Sequence, residues 1–469
     1  DPTILLPNKH FDTLLYTGAG SEQEVNGLSF QPDWVWLKER TGSGTSHGLF
    51  DSVRGRAAGL ASNQTNAEYT SSASNDLVSF DSDGFTVGGF QNFYTNRSGG
   101  YNYVAWNWNA GDTDGKTYTV KVHDFSGNNR YIFDDFQTQA VTLDLAEGGT
   151  YIFNMDDSSN ASHPFMIGTT ANDNTTAFGS GIVYKLDGVV KTFAQYHAGF
   201  AAATTRRLEF TIPASTNNLF YFCYAHSGMG GAINTNSTLG SSNFDGSRQA
   251  TTKVNTSSGF SIISWTGTGS NLTVGHGLGV APKVYIVKAR TGSSGCDWFV
   301  YHKVIGATHN LRLNTSNASG AASDLFNNTE PTSSVLSIGS SSCINENNGT
   351  YITYAFSEVA GYSKFGSYIG NGSSNGTFVF TGFRPAWVMI KRTDIVGSWW
   401  IHDAKRNTFN VVDNYFFADT DAAELSFDNL DFLSNGFKLR LATYQPNTSG
   451  GTFIYMAFAE SPFKNARAR

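Results

Sequence analysis

Along most of the chain, short runs of alternating apolar and polar residues are separated by clusters of Gly, Asn, Ser and Thr. A period of two with frequent turn residues predicts β-strands joined by tight turns. Three runs break the alternation in the same way. The first reads Phe30-Gln31-Pro32-Asp33-Trp34-Val35-Trp36-Leu37-Lys38, then Arg40-Thr41. The second reads Pro282-Lys283-Val284-Tyr285-Ile286-Val287-Lys288, then Arg290-Thr291. The third reads Phe383-Arg384-Pro385-Ala386-Trp387-Val388-Met389-Ile390-Lys391, then Arg392-Thr393. In each, Lys follows Pro by six positions, and the residues between are almost all β-formers. A proline at the strand entrance costs no ladder bond, and the strand ends at a charged turn.

Later landmarks keep register. Leu49-Phe50-Asp51 with Arg54 matches Ile401-His402-Asp403 with Arg406, and Phe80-Asp81-Ser82-Asp83-Gly84-Phe85 matches Phe432-Leu433-Ser434-Asn435-Gly436-Phe437. Each copy closes on an aromatic strand holding Ala105-Trp106, Ala355-Phe356 or Ala457-Phe458. Pro32 to Ala105 and Pro282 to Ala355 are each 73 positions apart, and Pro385 to Ala457 is 72. This is an internal repeat of roughly 100 residues, the size of an ordinary domain. The expected organisation is all-β. Residues 1–10 form a connecting arm, and residues 11–111, 256–361 and 362–469 form three repeated β-sandwich domains. The last two are nearly contiguous through Glu358-Val359-Ala360-Gly361-Tyr362, which predicts close packing between them.

Residues 112–255 interrupt the repeats. Their edges are turn-rich, Gly111-Asp112-Thr113-Asp114-Gly115 and Gly240-Ser241-Ser242-Asn243. Between them lie the predicted strands Val141–Leu145, Thr150–Asn154, Leu208–Ile212 and Leu219–Cys223. An independent β-sandwich set between two repeats fits this pattern.

Composition sharpens the picture. Aromatic residues make up 14% of the 469 residues and charged residues 15%, which excludes a disordered tail and favours aromatic cores. The formal net charge is -7 and the longest basic stretch is the short tail Lys464–Arg469, so nucleic acid is not an expected partner. No apolar run reaches the length of a membrane span. No secretory signal is visible after Asp1-Pro2, and the chain reads as processed or trimmed. Three cysteines do not make a disulfide framework; Cys296 and Cys343 share one segment, at a spacing open to a pair or to two separate thiols.

The sharpest chemistry lies in Tyr221-Phe222-Cys223-Tyr224-Ala225-His226-Ser227-Gly228-Met229. A thiolate, an imidazole and a thioether recur every three residues, a soft ligand set suited to copper. Ser162-His163-Pro164-Phe165 offers a second imidazole just after a predicted strand. Two imidazoles and a thiolate near a plane, with a weak axial thioether, describe a type 1 copper site. The insertion, over about residues 117–235, thereby resembles a cupredoxin, and its Cys-x-x-His-x-x-Met spacing resembles amicyanin-like members. The resemblance implies His163, Cys223 and His226 as strong ligands, Met229 as the axial one, and copper as the cofactor. One position departs from most small electron-transfer relatives. The residue after the first His usually donates its backbone N–H to the thiolate, and Pro164 has none. Zinc suits the set less well, because thioether is a poor zinc ligand.

Other candidates read as structural. His123 and His197 fall outside any ligand spacing; Asp51 with Arg54 and Asp403 with Arg406 are expected to be ion pairs at turns; Trp106, Trp108, Trp399 and Trp400 are expected in the core rather than on a sugar-stacking surface. No P-loop or His-Glu-x-x-His occurs, and the chain is not expected to be an enzyme. The phrases Gly361-Tyr362-Ser363-Lys364-Phe365-Gly366 and Tyr455-Met456-Ala457-Phe458-Ala459-Glu460-Ser461-Pro462-Phe463 resemble repeats in virion proteins of marine tailed bacteriophages, over residues 11–111 and 256–469. That resemblance implies a tail fibre, appendage or surface decoration on the virion. It would assemble as a homo-oligomer with other virion proteins and contact host surface glycans or a receptor. The rival readings are a secreted electron-transfer copper protein carried on binding domains, and a carbohydrate-binding adhesin.

Overall fold

The Lys-terminated strands are apolar at every position because each is buried on both faces, as continuous apolar runs in sheets usually are. In the computed structural model, Trp34–Glu39 turns Val35 and Leu37 into the core of its own repeat and Trp34 and Trp36 into a second, larger cluster. Phe383–Arg392 does the same, with Val388 and Ile390 on one face and Trp387 and Met389 on the other. The structure describes residues 2–462 except 43, 91, 92, 94, 112–114, 236–239, 293, 294, 443 and 444. The basic tail Lys464–Arg469 and the turn Asp112-Thr113-Asp114 lie outside the described residues. The fold is all-β, and among the described residues no helix is long and apolar enough to cross a membrane.

The chain divides into two units, one of Asp1–Asp112 with Val254–Arg469 and one of Thr113–Lys253. In the first unit the repeats share one strand order. The first repeat runs Phe11–Thr17, Asn102–Trp108, Trp34–Glu39, Gly48–Asp51, with two short strands beyond; the second runs Phe260–Thr266, Thr350–Phe356, Val284–Ala289, Phe299–His302. The third runs Ser363–Ile369, Thr452–Pro462, Phe383–Arg392, Trp399–Asp403, and its sheet continues to eight strands. The register is common to all three: Trp36 lies opposite Trp106, Ile286 opposite Tyr354 and Met389 opposite Met456.

The sequence treats the repeats as three domains; the structure gives them one core. A single apolar cluster takes Trp36 and Trp106 from the first repeat, Ile286 and Tyr354 from the second, and Trp387 and Met456 from the third. Trp34 stacks on Tyr354 with centroids 4.1 Å apart, and Trp108 meets Trp387 edge-on at 5.8 Å. A fully buried tryptophan removes about 150–250 Å² from water, roughly 4–6 kcal/mol before ordering entropy is set against it. The arm joins this core through Ile4, which is buried in it.

Polar groups close the joints in a cycle. Lys38 Nζ donates to Thr45 O in its own repeat (2.8 Å) and to Asp421 O in the third (3.3 Å). Lys288 Nζ donates to Cys296 O (2.7 Å) and to Thr65 O in the first repeat (2.9 Å). Lys391 Nζ donates to Gly397 O (2.5 Å) and to Ser316 O in the second (3.0 Å). Burial lowers all three amines from the usual 10.5 to about 8. Ring N–H groups repeat the cycle: Trp298 Nε1 reaches Ala61 O at 2.8 Å and Trp399 Nε1 reaches Arg312 O at 2.9 Å. His47, at the matching position, accepts from Trp36 Nε1 on Nδ1, which leaves Nε2 to donate to Phe417 O at 3.1 Å.

The recurring Asp–Arg pairs are buried ion pairs at these joints. Asp51 pairs with Arg54 and accepts from the Tyr354 hydroxyl of the second repeat at 2.7 Å. Arg54 continues to Glu68, which Arg290 of the second repeat clamps at 2.8 and 3.0 Å. Asp403 pairs with Arg406 and accepts from Trp106 Nε1 of the first repeat at 3.0 Å, and Arg406 continues to Glu424, clamped by Arg40. At the remaining joint His302 of the second repeat stands at the Asp position, and the Arg392 guanidinium of the third repeat pairs with its own Asp394. Cys296 and Cys343 are disulfide-bonded, with Cα atoms 5.2 Å apart. Trp106, Trp108 and Trp399 are buried, so none of them offers a sugar-stacking face.

The Thr113–Lys253 unit is a sandwich. One sheet orders Asn129–Phe133, Thr117–Asp124, Thr150–Asn154, Arg206–Thr211, Ile182–Leu186 and Val189–Lys191; the other orders Leu143–Asp144, Gly231–Asn234, Leu219–Cys223 and Phe165–Gly168. Inward residues of both, among them Tyr118, Phe153, Phe165 and Tyr221, form one core.

Candidate metal centre

Strand pairing brings the distant His163 to the loop. Phe165–Gly168 runs antiparallel to Leu219–Cys223 with Phe165 directly opposite Cys223, so the residues flanking Phe165 meet the start of the loop. The Tyr224 N–H donates to Pro164 O at 2.8 Å and extends that pairing past the strand end. His163 N–H donates to Asn160 O at 2.8 Å, and Asn160 is buried and donates from Nδ2 to Val120 O at 2.8 Å. The turn that presents His163 is thus fixed to the opposite sheet.

Three donors converge. Cys223 Sγ lies 3.9 Å from His163 Nδ1 and 3.5 Å from His226 Nδ1, and the three donor atoms all lie within 4.8 Å of one another. An ion with about 2.3 Å to sulfur and 2.0 Å to nitrogen requires S···N separations of about 3.5 Å at tetrahedral angles and 3.7 Å at trigonal ones. The 3.5 Å separation sits at the lower end of that range and the 3.9 Å one lies just above it. Two imidazoles and one thiol at this spacing therefore fit one copper ion without rearrangement of the strands.

Exposure differs across the set. Cys223 is 3% exposed, His163 9% and Met229 2%, while His226 faces solvent. Burial, with His226 beside it, holds His163 below the usual imidazole pKa and favours the neutral ring that a metal needs. Met229 packs in the same apolar cluster as Cys223. Its loop turns at Gly228, whose φ of +77° suits glycine, and the Gly228 N–H donates to Asn172 Oδ1 at 2.8 Å. A side chain at Gly230 would meet the Tyr221 carbonyl at 1.7 Å, so the chain leaving Met229 passes directly against the Cys223 strand.

The structure adds residues that spacing did not reveal. His197 stacks on Tyr224 with centroids 4.0 Å apart, beside the loop, and burial lowers its pKa to about 4. His123 packs against Phe125. Tyr131 donates its hydroxyl to His163 O at 2.8 Å and its backbone N–H to Met229 O at 3.0 Å. Its only sequence signal is the alternation Arg130-Tyr131-Ile132-Phe133, which marks a strand and no chemistry.

A family described as a domain of unknown function, DUF7483, matches residues 6–134 and 233–462. The chain belongs to the DUF7483 family. The match takes in all three repeats and passes over residues 135–232, the stretch that carries His163, Cys223, His226 and Met229. Within this DUF7483 chain the candidate metal centre is therefore seated outside the matched sequence, while Tyr131 lies inside it. No curated protein matches the chain.

Proposed function

We propose that the chain is a structural protein of a bacteriophage virion, a tail fibre, appendage or surface decoration present in many copies, whose inserted cupredoxin-like module binds one copper ion. His163, Cys223 and His226 are the strong ligands and Met229 the axial one. The observation that carries the copper reading is the convergence of one Sγ and two Nδ1 atoms at separations of 3.5 and 3.9 Å. The structural reading is supported by three repeats closed into one core and by the disulfide, which suits a protein working outside a reducing cytoplasm. We propose no catalytic role.

A copper ion bound there supplies one-electron exchange between its two oxidation states. The exposed His226 favours, as a second reading, an electron-transfer role, since one ligand edge reaches solvent. His163 and Cys223, both nearly buried, hold the donor set and keep water from the sulfur side. Titration with Cu(II) tests the copper reading. One equivalent binds and an absorption near about 600 nm develops, as expected for a thiolate–copper site; Cys223→Ala abolishes it. A colourless wild-type protein refutes it. Mass spectrometry of purified particles tests the virion reading, and absence of the chain from them refutes it.

A further inference from the structure

We propose that acid loosens the third repeat from the other two through His47 and His302, the histidines that bond it to the first repeat and to the second.

The three joints are built alike, and they differ in which of their donors can titrate. At the joint of the first and second repeats, Trp298 Nε1 donates to Ala61 O and the Tyr354 hydroxyl to Asp51. Where the second repeat has Trp298 and the third Trp399, the first has His47, whose Nε2 donates to Phe417 O of the third at 3.1 Å. Where the first repeat has Asp51 and the third Asp403, the second has His302, whose Nε2 donates to Tyr455 O of the third at 3.4 Å. Each joint of the third repeat thus carries one imidazole bond.

Both rings are held in one neutral tautomer. His47 is 0% exposed and His302 1%. His47 Nδ1 accepts from Trp36 Nε1 at 2.9 Å, and His302 Nδ1 accepts from the Val304 N–H at 3.2 Å. An indole or backbone N–H only donates and a carbonyl only accepts, so each ring carries its proton on Nε2. A second proton has one place to go, Nδ1, where it meets an N–H that cannot accept it. Protonation therefore removes an acceptor and leaves a charge inside the joint.

The surroundings do not offset that charge. Lys38 of the first repeat and Arg406 of the third face His47, with the Phe416 ring edge-on and the Phe417 and Thr420 backbone beside it. Arg406 is already paired with Asp403 and Glu424. Next to His302, Lys303 pairs with Glu330 at the surface; across the joint, Glu358 lies near Tyr455 and pairs with Lys364. Burial, then Lys38, holds His47 well below the usual imidazole value, and burial takes His302 down to about 4. A ring in water titrates near about 6.5. Above that value neither the closed nor the opened joint takes a proton. Below it, down to about 4 for His302, the opened joint takes a proton that the closed one does not. Opening then gains about tenfold per pH unit for each ring.

Backbone amides that cross the joints read this directly. The Glu424 N–H donates to Arg40 O at 3.0 Å between the third and first repeats, and the Ser319 N–H to Thr393 O at 2.9 Å between the second and third. The Glu68 N–H donates to Arg290 O at 3.0 Å between the first and second. Hydrogen exchange of these amides is followed in the full chain at about pH 7.5 and about pH 5, each rate taken relative to that of an open amide at the same pH. Acid lowers the protection of Glu424 and Ser319 by about 30-fold or more, and that of Glu68 by less than about 3-fold. The Glu68 carboxylate stays ionised throughout: burial pushes it up, but Arg290 and Arg54 outweigh burial and hold it below the usual value. In His47→Gln/His302→Gln a neutral amide keeps a donor and an acceptor and takes no proton, so the acid loss at Glu424 and Ser319 disappears. This variant retains His402, buried within the third repeat, and so separates the joints from acid unfolding of that repeat. If the double variant does not fold, His47→Gln carries the test at Glu424 and His302→Gln at Ser319. Equal loss at all three amides, or a loss that persists in the variants, overturns the proposal, as does unchanged protection in the wild type.

Discussion

Asp51→Asn tests whether the three repeats stand or fall together. Asp51 and Arg54 are both fully buried at their side chains, and Asp51 also accepts the Tyr354 hydroxyl from the second repeat. Burial opposes charge on Arg54, but Asp51, Tyr354 and Glu68 outweigh it and hold the guanidinium ionised. Neutralising Asp51 leaves that charge inside with Glu68 as its remaining carboxylate. Removing one partner of a buried pair costs about 3–5 kcal/mol. The shift in melting temperature then depends on what melts. A cooperative unit of about 330 residues has an unfolding entropy near 0.7 kcal/mol/K, so about 4 kcal/mol lowers Tm by about 6 °C. A lone repeat of about 100 residues has about a third of that entropy or less, and the same loss lowers its Tm by about 20 °C. Differential scanning calorimetry distinguishes the two. The shared core requires a drop of about 6 °C in one transition carrying most of the enthalpy. A drop near 20 °C confined to a minor transition refutes the shared core, and no drop refutes the buried pair. In Asp51→Asn/Arg54→Met, where neither charge remains, much of the loss returns, because an apolar replacement for a buried pair is often neutral.

The buried lysines set a pH response. Lys38, Lys288 and Lys391 fall from 10.5 to about 8 on folding, so between those values the unfolded chain binds more protons and stability rises with pH. Urea unfolding from pH 8 to 10 shows that rise in wild type and a smaller one in Lys288→Met; a flat or falling profile over that window contradicts it. Replacing Cys296 and Cys343 by Ser reopens a loop whose ends are 47 positions apart and costs about 2–4 kcal/mol, read as a lower urea midpoint that reductant does not change further. The joint between the second and third repeats has His302 at the Asp position and Met456 where the first repeat has Trp106 and the second Tyr354, and Arg392 pairs within its own repeat.

The strands were legible because their chemistry is local. The Pro-to-Lys runs, the turn glycines and the closing aromatic strands each announce themselves within a few residues. The Cys223–Met229 loop was legible for the same reason, since three of its donors lie on one turn, and a cupredoxin-like spacing pointed to His163. What stayed hidden depends on which residues face each other across distance. Trp34 and Val35 are both apolar, and a pattern of apolar and polar residues cannot tell that one enters a shared core and the other a private one. Lys38, Lys288 and Lys391 occupy one position in three repeats, yet as letters they read as solvent-facing strand ends. Buried, they become the links between repeats, because an ammonium group with two carbonyl acceptors from two segments satisfies backbone that the joint would otherwise strand. Recurrence of a charged residue in a run otherwise buried was the signal. A solvent-facing end has no need to keep its residue type through three copies, whereas a cyclic set of joints needs the same donor three times. The same logic covers Asp51 with Arg54 and Asp403 with Arg406. Their absence from the second repeat accompanies the change from Trp106 and Tyr354 to Met456 across the joint, since a thioether offers no hydrogen to a carboxylate.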